Sequence, residues 1–536
     1  MPTSSLAQPS LPPTPPVVAP ALLTRFGARV LDPLTAVRTG RTPAPTVYLA
    51  DRLLVRGAAE DTRTADAVAL LGEVAAGLGV PVEVSVDRRD RVVARQLLQT
   101  EGGRLLAEAT STRLLLSTPA DGRTAPPDAW ALLAAARAQA PELARHIHLD
   151  HLLTACSETW NGVGGIWGGV GGIWGGVGGI WGGVGGIWGG VSPTPSPYGS
   201  PGYGTRVPVS WNGADPRTTA PAVKRPPVVV LLDTGVGEHP WFRDGEGVRE
   251  VVEVGGIPVG ISVSGVGDPE LSGVVADAVG GMLDRQSGHG TFIAGVVRQR
   301  CPQAELWAVP VMPADGAASE GDLLHALTVL LAQHLDAQAR GDSEGVVDVI
   351  GLSLGYYHED PADALDDGPL LALLQLAARS GTAVVAAAGN DATSTPFFPA
   401  ALAPALTDGV PLTSVGALNP DGRSVALFSN NGSWISTHAP GAQVVSTVPV
   451  TLSGALTAGV HVDRDDPLPR TGVDPDTHRS GFAVWSGTSF AAPFVAGDLA
   501  AAIAVDEDPV GTDPATMVAR GARAVATVLA AREVRR

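Results

Sequence analysis

The sequence predicts an α/β fold with a twisted parallel sheet between helices, preceded by a small α+β domain. Two apolar, β-branched runs of strand length, Val228–Leu232 and Ala383–Ala388, each lead into a polar residue, Asp233 and Asn390, as strands buried on both faces do. Helical apolar spacing begins at His289 and again at Ser489, each after a glycine-containing turn. Residues 46–150 alternate strand and helix patterns on a smaller scale. A length of 536 residues leaves room for two or three domains and an ample core.

Residues 1–45, rich in proline and serine at the start, read as a disordered N-terminus. They lack the basic start and apolar core of a secretory signal, so the expected location is cytoplasmic; membrane association, or export by an unrecognised route, is the alternative. Residues 46–155 read as the small α+β domain. Its strands are placed at Thr46–Ala50, Val80–Val86 and Arg113–Ser117, and its helices at Thr62–Ala76 and Ala129–Ala140. Near its end, His146-Ile147-His148-Leu149-Asp150-His151 has the H-x-H-x-D-H spacing of metallo-β-lactamase-like hydrolases, where such residues gather metal ions. That motif normally follows a strand. Here it follows the helical pattern of Pro127–Arg145, so a polar helix end or loop without a metal is expected.

Residues 156–225 read as a linker. The heptad Val163-Gly164-Gly165-Ile166-Trp167-Gly168-Gly169 recurs from Val170, Val177 and Val184 and closes at Val191. Four glycines per heptad, each costing about 1 kcal/mol relative to alanine, oppose a free helix in water. A flexible low-complexity linker is the expectation, supported by Ser192-Pro193-Thr194-Pro195-Ser196-Pro197. The uncharged run over 162–191 is also long enough to span a bilayer, so membrane or self-association is the alternative.

Composition narrows the classes further. A formal charge of −18 argues against nonspecific nucleic-acid binding. Lys224 is the only lysine among 36 basic residues, which points to a high-GC gene and says nothing of mechanism. Two cysteines, Cys156 and Cys301, make no disulfide framework and are expected to be free thiols.

The chemistry lies in residues 226–536. Val228–Val236 delivers Asp233, and Ser287-Gly288-His289-Gly290-Thr291 sets a histidine between glycines that let other backbone approach it. Ala383–Asn390 ends in a side-chain amide. Gly487-Thr488-Ser489-Phe490-Ala491-Ala492-Pro493 holds a serine at a helix start, where an N-cap role is the plain reading and a nucleophile the sharper one.

This order of Asp, His, Asn and Ser, with these flanks, resembles the subtilisin-like serine peptidases (subtilases, peptidase family S8) over roughly Pro226–Ala504. The resemblance implies a three-layer catalytic domain and a serine endopeptidase working through an acyl-enzyme. Ser489 would be the nucleophile, His289 the base, Asp233 its orienting carboxylate, and Asn390 an oxyanion donor together with the Ser489 N–H. Ser353, Leu354 and Gly355 would line one wall of the primary pocket, and Ala387, Ala388 and Gly389 the other, leaving it apolar and open. Protein or peptide substrates and no cofactor are implied; the rival reading is a noncatalytic or latent scaffold that binds partners through the N-terminal region and the repeats.

Departures from the family pattern bound the carry-over. Tyr356 and Tyr357 follow Gly355 where the family places a further glycine. Gly295–Arg300 passes directly to Cys301-Pro302 without the insertion that helps hold a calcium ion, so no metal site is carried over. Gly255–Asp284 is expected to be a surface hairpin or flap. Thr451–His478, with Asp463, Asp465, Asp466, Asp474 and Asp476, reads as a solvated loop rather than a site for a hard cation. The position of 46–155 resembles that of the family's inhibitory propeptide.

Overall fold

The computed structural model describes residues 18–37, 42–119, 126–156, 206–211, 213–245, 247–262, 265–274, 281, 283–454, 461–462, 470–471 and 478–533. The heptad repeats, and the five aspartates of the expected solvated loop Thr451–His478, lie outside them.

The N-terminal unit starts earlier than its pattern suggests. Helix α1 (Pro20–Phe26) leads through Gly27, in the left-handed region at φ 58°, into β1 (Ala28–Leu31), which pairs with β2 (Thr46–Arg56). Part of the expected disordered stretch is therefore ordered by strand pairing, which a four-residue strand cannot announce in sequence. The unit continues with α2 (Thr62–Gly77), β3 (Glu83–Val86), β4 (Ser111–Ser117), α3 (Ala129–Gln139) and β5 (Ile147–Ala155). These match the expected elements with shifted ends.

The histidine motif corrects the expectation of a helix end or loop. It lies mostly on β5, where Ile147 and Leu149 enter the core of the unit with Leu53, Leu71, Leu114 and Leu133, and alternation sends His148 and Asp150 to the opposite face. The helical pattern had already ended at Ala144, which left the chain free to extend.

The larger unit is built on seven parallel strands. They are β6 (Val228–Asp233), β7 (Val248–Glu250), β8 (Glu305–Pro310), β10 (Val349–Leu352), β12 (Ala383–Ala387), β13 (Thr413–Leu418) and β14 (Thr437–Pro440), in the order β14-β13-β12-β10-β6-β8-β7. Central strands such as Val228–Leu232 are buried throughout, as their unbroken apolar runs require. Helices α4 (His289–Arg300) and α7 (Thr488–Ala504) pack together, as do α5 (Glu320–Arg340) and α6 (Pro369–Ser380). The chain after residue 513, where a C-terminal helical tail is expected, forms α8 (Pro514–Glu533), whose Arg520 reaches the buried Asp348 carboxylate at 3.2 Å. The expected linker is also ordered near its end: Val207–Pro208 pairs with Phe482–Trp485. Among the described residues, no helix is long and apolar enough to cross a membrane.

Two short strands, β9 (Ala317–Ser319) and β11 (Leu354–Gly355), join the units. Both pair antiparallel with the last residues of β5: β9 with Leu152–Thr154, and β11 with Thr154 and Ala155. The end of the N-terminal unit is thus a strand inserted between two strands of the larger one.

Candidate active site

Four element ends converge. Asp233 closes β6, His289 opens α4, Asn390 follows β12, and Ser489 lies in the first turn of α7. Gly288 sits at φ 77°, and a Cβ on Gly290 would come within 3.0 Å of the Gly235 nitrogen, so the turn around His289 admits no larger residue without displacing backbone. This is why glycines flank the imidazole.

Asp233 Oδ1 lies 2.7 Å from His289 Nδ1 and also accepts the Thr234 N–H at 2.8 Å. The imidazole packs edge-on against Trp485 at 5.4 Å and against Phe490 at 5.3 Å. Its Nε2 is buried without a hydrogen-bond partner. Ser489 Oγ points elsewhere and donates to the Ser353 carbonyl at 3.0 Å, so the expected serine–histidine bond is not formed in this state. Such bonds often tighten only when the reacting complex forms.

The cleft is filled by the chain itself. The Cys156 carbonyl accepts the Ser489 N–H at 3.0 Å and the Asn390 Nδ2 amide, the two donors expected to hold an oxyanion. The Cys156 N–H donates to Ser353 O at 3.0 Å, and Ala155 N–H to Gly316 O at 2.8 Å. The segment therefore lies in the manner of a bound substrate, through main-chain pairing that any peptide could make. Ser489 is fully buried beneath it. The orientation of the Asn390 amide is fixed, because its Oδ1 accepts from the Thr488 N–H at 3.0 Å and the Thr488 hydroxyl at 2.9 Å, which leaves Nδ2 to face the carbonyl.

The model of the Subtilase family matches residues 224–525, more than half of the chain. This chain belongs to the subtilase family. It is 31% identical over 186 residues to the subtilase-type proteinase psp3 of Schizosaccharomyces pombe, covering 33% of this chain and 37% of that protein. It is 27% identical over 240 residues to subtilisin E of Bacillus subtilis, covering 42% and 48% respectively. The chain thus spans less than half the length of these two relatives. A crystal structure of a cold-adapted subtilisin-like serine proteinase is similar at 19% identity and a TM-score of 0.32, over 55% of this chain and 79% of that one.

The subtilase adds a residue that its sequence pattern did not single out. Glu270, in the stretch expected to be a surface flap, is buried beside the Asp233–His289 pair. It accepts the Thr234 hydroxyl, the Thr291 hydroxyl at 2.6 Å and the Gly290 N–H at 3.2 Å. Burial pushes its carboxyl up to about 8, against the pull of the two threonine hydroxyls. Glu270 thereby anchors the Gly255–Asp284 stretch to the start of the histidine helix. Replacing it with alanine strands the Thr291 hydroxyl, whereas the Gly290 N–H keeps Thr234 Oγ1 at 2.8 Å and the Thr234 hydroxyl keeps Asp233 Oδ1 at 3.2 Å. A loss of about 1–3 kcal/mol is expected, read as a lower urea midpoint at unchanged slope.

Between the two segments expected to wall the pocket, Phe397 lies close to both Gly355 and Gly389, and behind it Tyr357 donates its hydroxyl to the half-buried carboxylate of Asp391 at 2.6 Å. Both cysteines are buried free thiols, as expected. Burial raises the Cys156 thiol well above its usual value.

The histidine motif meets the subtilase unit. His151 lies 2.6 Å from Glu320 Oε2 through Nδ1 and 2.8 Å from Glu359 Oε2 through Nε2, with Tyr356 donating to Glu320 at 2.7 Å. His146 lies 2.6 Å from Asp367, while Arg137 reaches Glu359 at 3.5 Å and Asp363 at 3.2 Å. The groupings His148, His358, Asp363 and His151, His358, Glu359 are close enough to share a metal ion. Most of these groups already bond within the network, which reads as an interdomain set of ion pairs.

This network makes docking depend on pH. Burial opposes charge on His151, but Glu320 and Glu359 outweigh it and hold the ring up at about 10; a freed unit would lose that charge near pH 6.5. Docking therefore weakens as pH rises from about 6.5 towards 10. His358 works in the other direction, because burial pushes its ring down to about 4, so docking also weakens as pH falls from about 6.5 towards 4. The dissociation constant of a separated N-terminal unit is expected to be lowest near pH 6.5. It should rise by up to about tenfold per pH unit on either side, measured by calorimetry.

Proposed function

We propose that this subtilase is a serine endopeptidase made as a self-inhibited precursor, with its N-terminal unit serving as both inhibitor and first substrate. The observation that carries this reading is the Cys156 carbonyl held by Asn390 Nδ2 and the Ser489 N–H. Ser489 Oγ turns from Ser353 towards His289 Nε2, passes its proton there, and bonds to the carbonyl carbon. Asp233 fixes the Nδ1–H tautomer and stabilises the imidazolium, while Asn390 and the Ser489 N–H take the charge on the oxygen. Collapse breaks the carbon–nitrogen bond and His289 returns the proton to the leaving amine. Water, activated by the same histidine, then frees the acyl group.

In the precursor the bond so placed is Cys156–Ser157. After cleavage the new carboxyl end remains paired with β9 and β11, so the unit would inhibit until it dissociates or is degraded. No specific observation favours a noncatalytic scaffold. The test is labelling of the processed chain, freed of residues 1–156, with a fluorophosphonate, alongside hydrolysis of casein. Covalent mass on Ser489 and soluble peptides are expected; a processed chain that takes no label would overturn the reading.

A further inference from the structure

We infer that this subtilase cuts after small residues, because Phe397 closes the base of the pocket that receives the side chain before the scissile bond. The inference rests on the peptidase reading above and names its substrate class. The pocket lies between Ser353-Leu354-Gly355 and Ala387-Ala388-Gly389; the Cys156 N–H pairs with Ser353 O at 3.0 Å, and the Cys156 thiol neighbours the Gly389 backbone and the Thr488 side chain. A Cβ built on Gly355 would fall within 2.8 Å of Phe397 Cζ, and one built on Gly389 within 3.1 Å of Phe397 Cγ and Cδ1. A single ring that crowds glycines on both walls occupies the space between them.

The ring is held from behind. Tyr357 meets it edge-on at 5.1 Å, and the Tyr357 hydroxyl is fixed by Asp391 at 2.6 Å and by the Asn430 amide at 3.1 Å. Asn430 also donates to Ala388 O at 2.9 Å, which ties this backing to the pocket wall. The next residue, Phe398, exchanges two main-chain bonds of 2.9 Å with Tyr356. Phe397 is only 3% exposed and has no free side to swing towards. The present occupant is small, and Cys156 is itself 3% exposed, so its two-atom side chain fills what remains. Leucine, methionine or phenylalanine would need further heavy atoms where the Phe397 ring stands, and a close-packed pocket of this kind resists such overfilling.

Two experiments test this, the first normalised to the fraction of Ser489 that a fluorophosphonate labels. First, the processed enzyme is offered alanyl-alanyl-prolyl anilides ending in alanine, serine, leucine or phenylalanine. Alanine and serine should exceed phenylalanine in kcat/KM on the order of 100-fold. In Phe397→Gly the order should reverse. Second, the intact chain is made with Cys156→Ala or Cys156→Phe and its self-cleavage followed by mass. Cys156→Ala should process like the parent, Cys156→Phe should not, and Cys156→Phe combined with Phe397→Gly should recover.

Labelled enzyme that cuts after phenylalanine as fast as after alanine, or Cys156→Phe that processes at the parental rate, would overturn the inference and leave the peptidase reading intact. Absence of label would sink the peptidase reading itself.

Discussion

Ser489→Ala should yield a folded chain that stays intact at 536 residues, takes no fluorophosphonate, and retains about one part in 10^6 of the parental kcat. The side chain removed is small and makes one hydrogen bond, to Ser353 O, so folding should change little. Its backbone N–H remains and still holds the Cys156 carbonyl at 3.0 Å. The variant is therefore expected to melt no lower than the parent precursor and to keep the N-terminal unit docked. Thermal unfolding beside intact mass measures both. A variant that still processed itself would mean that another group attacks the Cys156 carbonyl.

Asp233→Asn should lower kcat by about 10^4-fold at neutral pH without unfolding the protein. Asp233 accepts at 2.7 Å from His289 Nδ1, which keeps that proton in place and leaves Nε2 free to receive one from Ser489. The Thr234 N–H at 2.8 Å and the Thr234 hydroxyl at 3.2 Å donate to the same Oδ1, so an asparagine placed there keeps its oxygen on that side, facing Nδ1–H. The imidazolium that forms as Ser489 gives up its proton then meets a neutral amide in place of a carboxylate. Because that charge counts only once the proton has moved, the loss should fall on kcat with KM little changed, in steady-state kinetics on a short peptide. A loss confined to KM would contradict the role given to Asp233.

Much of this was legible in the sequence because the informative residues sit at element ends. A parallel sheet buried on both faces demands unbroken apolar runs, and Val228–Leu232 and Ala383–Ala388 supply them. Their polar successors, Asp233 and Asn390, stand out for the same reason. What stayed hidden depends on contacts between distant segments. Glu270 lies in a glycine-rich stretch with no period, and only folding brings it to Gly290 and Thr291.

Phe397 is one apolar residue in an irregular loop, so nothing in its surroundings says that it closes a pocket. The histidine motif follows a helical pattern, which masks the strand alternation that Ile147 and Leu149 carry. The placement of Cys156 had no sequence signal of its own. It follows from where β5 ends after threading between β9 and β11.

Self-inhibition and self-processing both turn on the Cys156 carbonyl being held as the first substrate of Ser489. Intact mass, with N-terminal sequencing of the larger fragment, decides this on the purified parent chain and on Ser489→Ala after incubation at neutral pH. The parent should be cut once between Cys156 and Ser157, with the fragments still associated, and the variant should remain uncut. A parent that stays whole while its Ser489 takes a fluorophosphonate, or one cut elsewhere while the 156–157 bond survives, would show that Cys156 is not the residue offered to the serine.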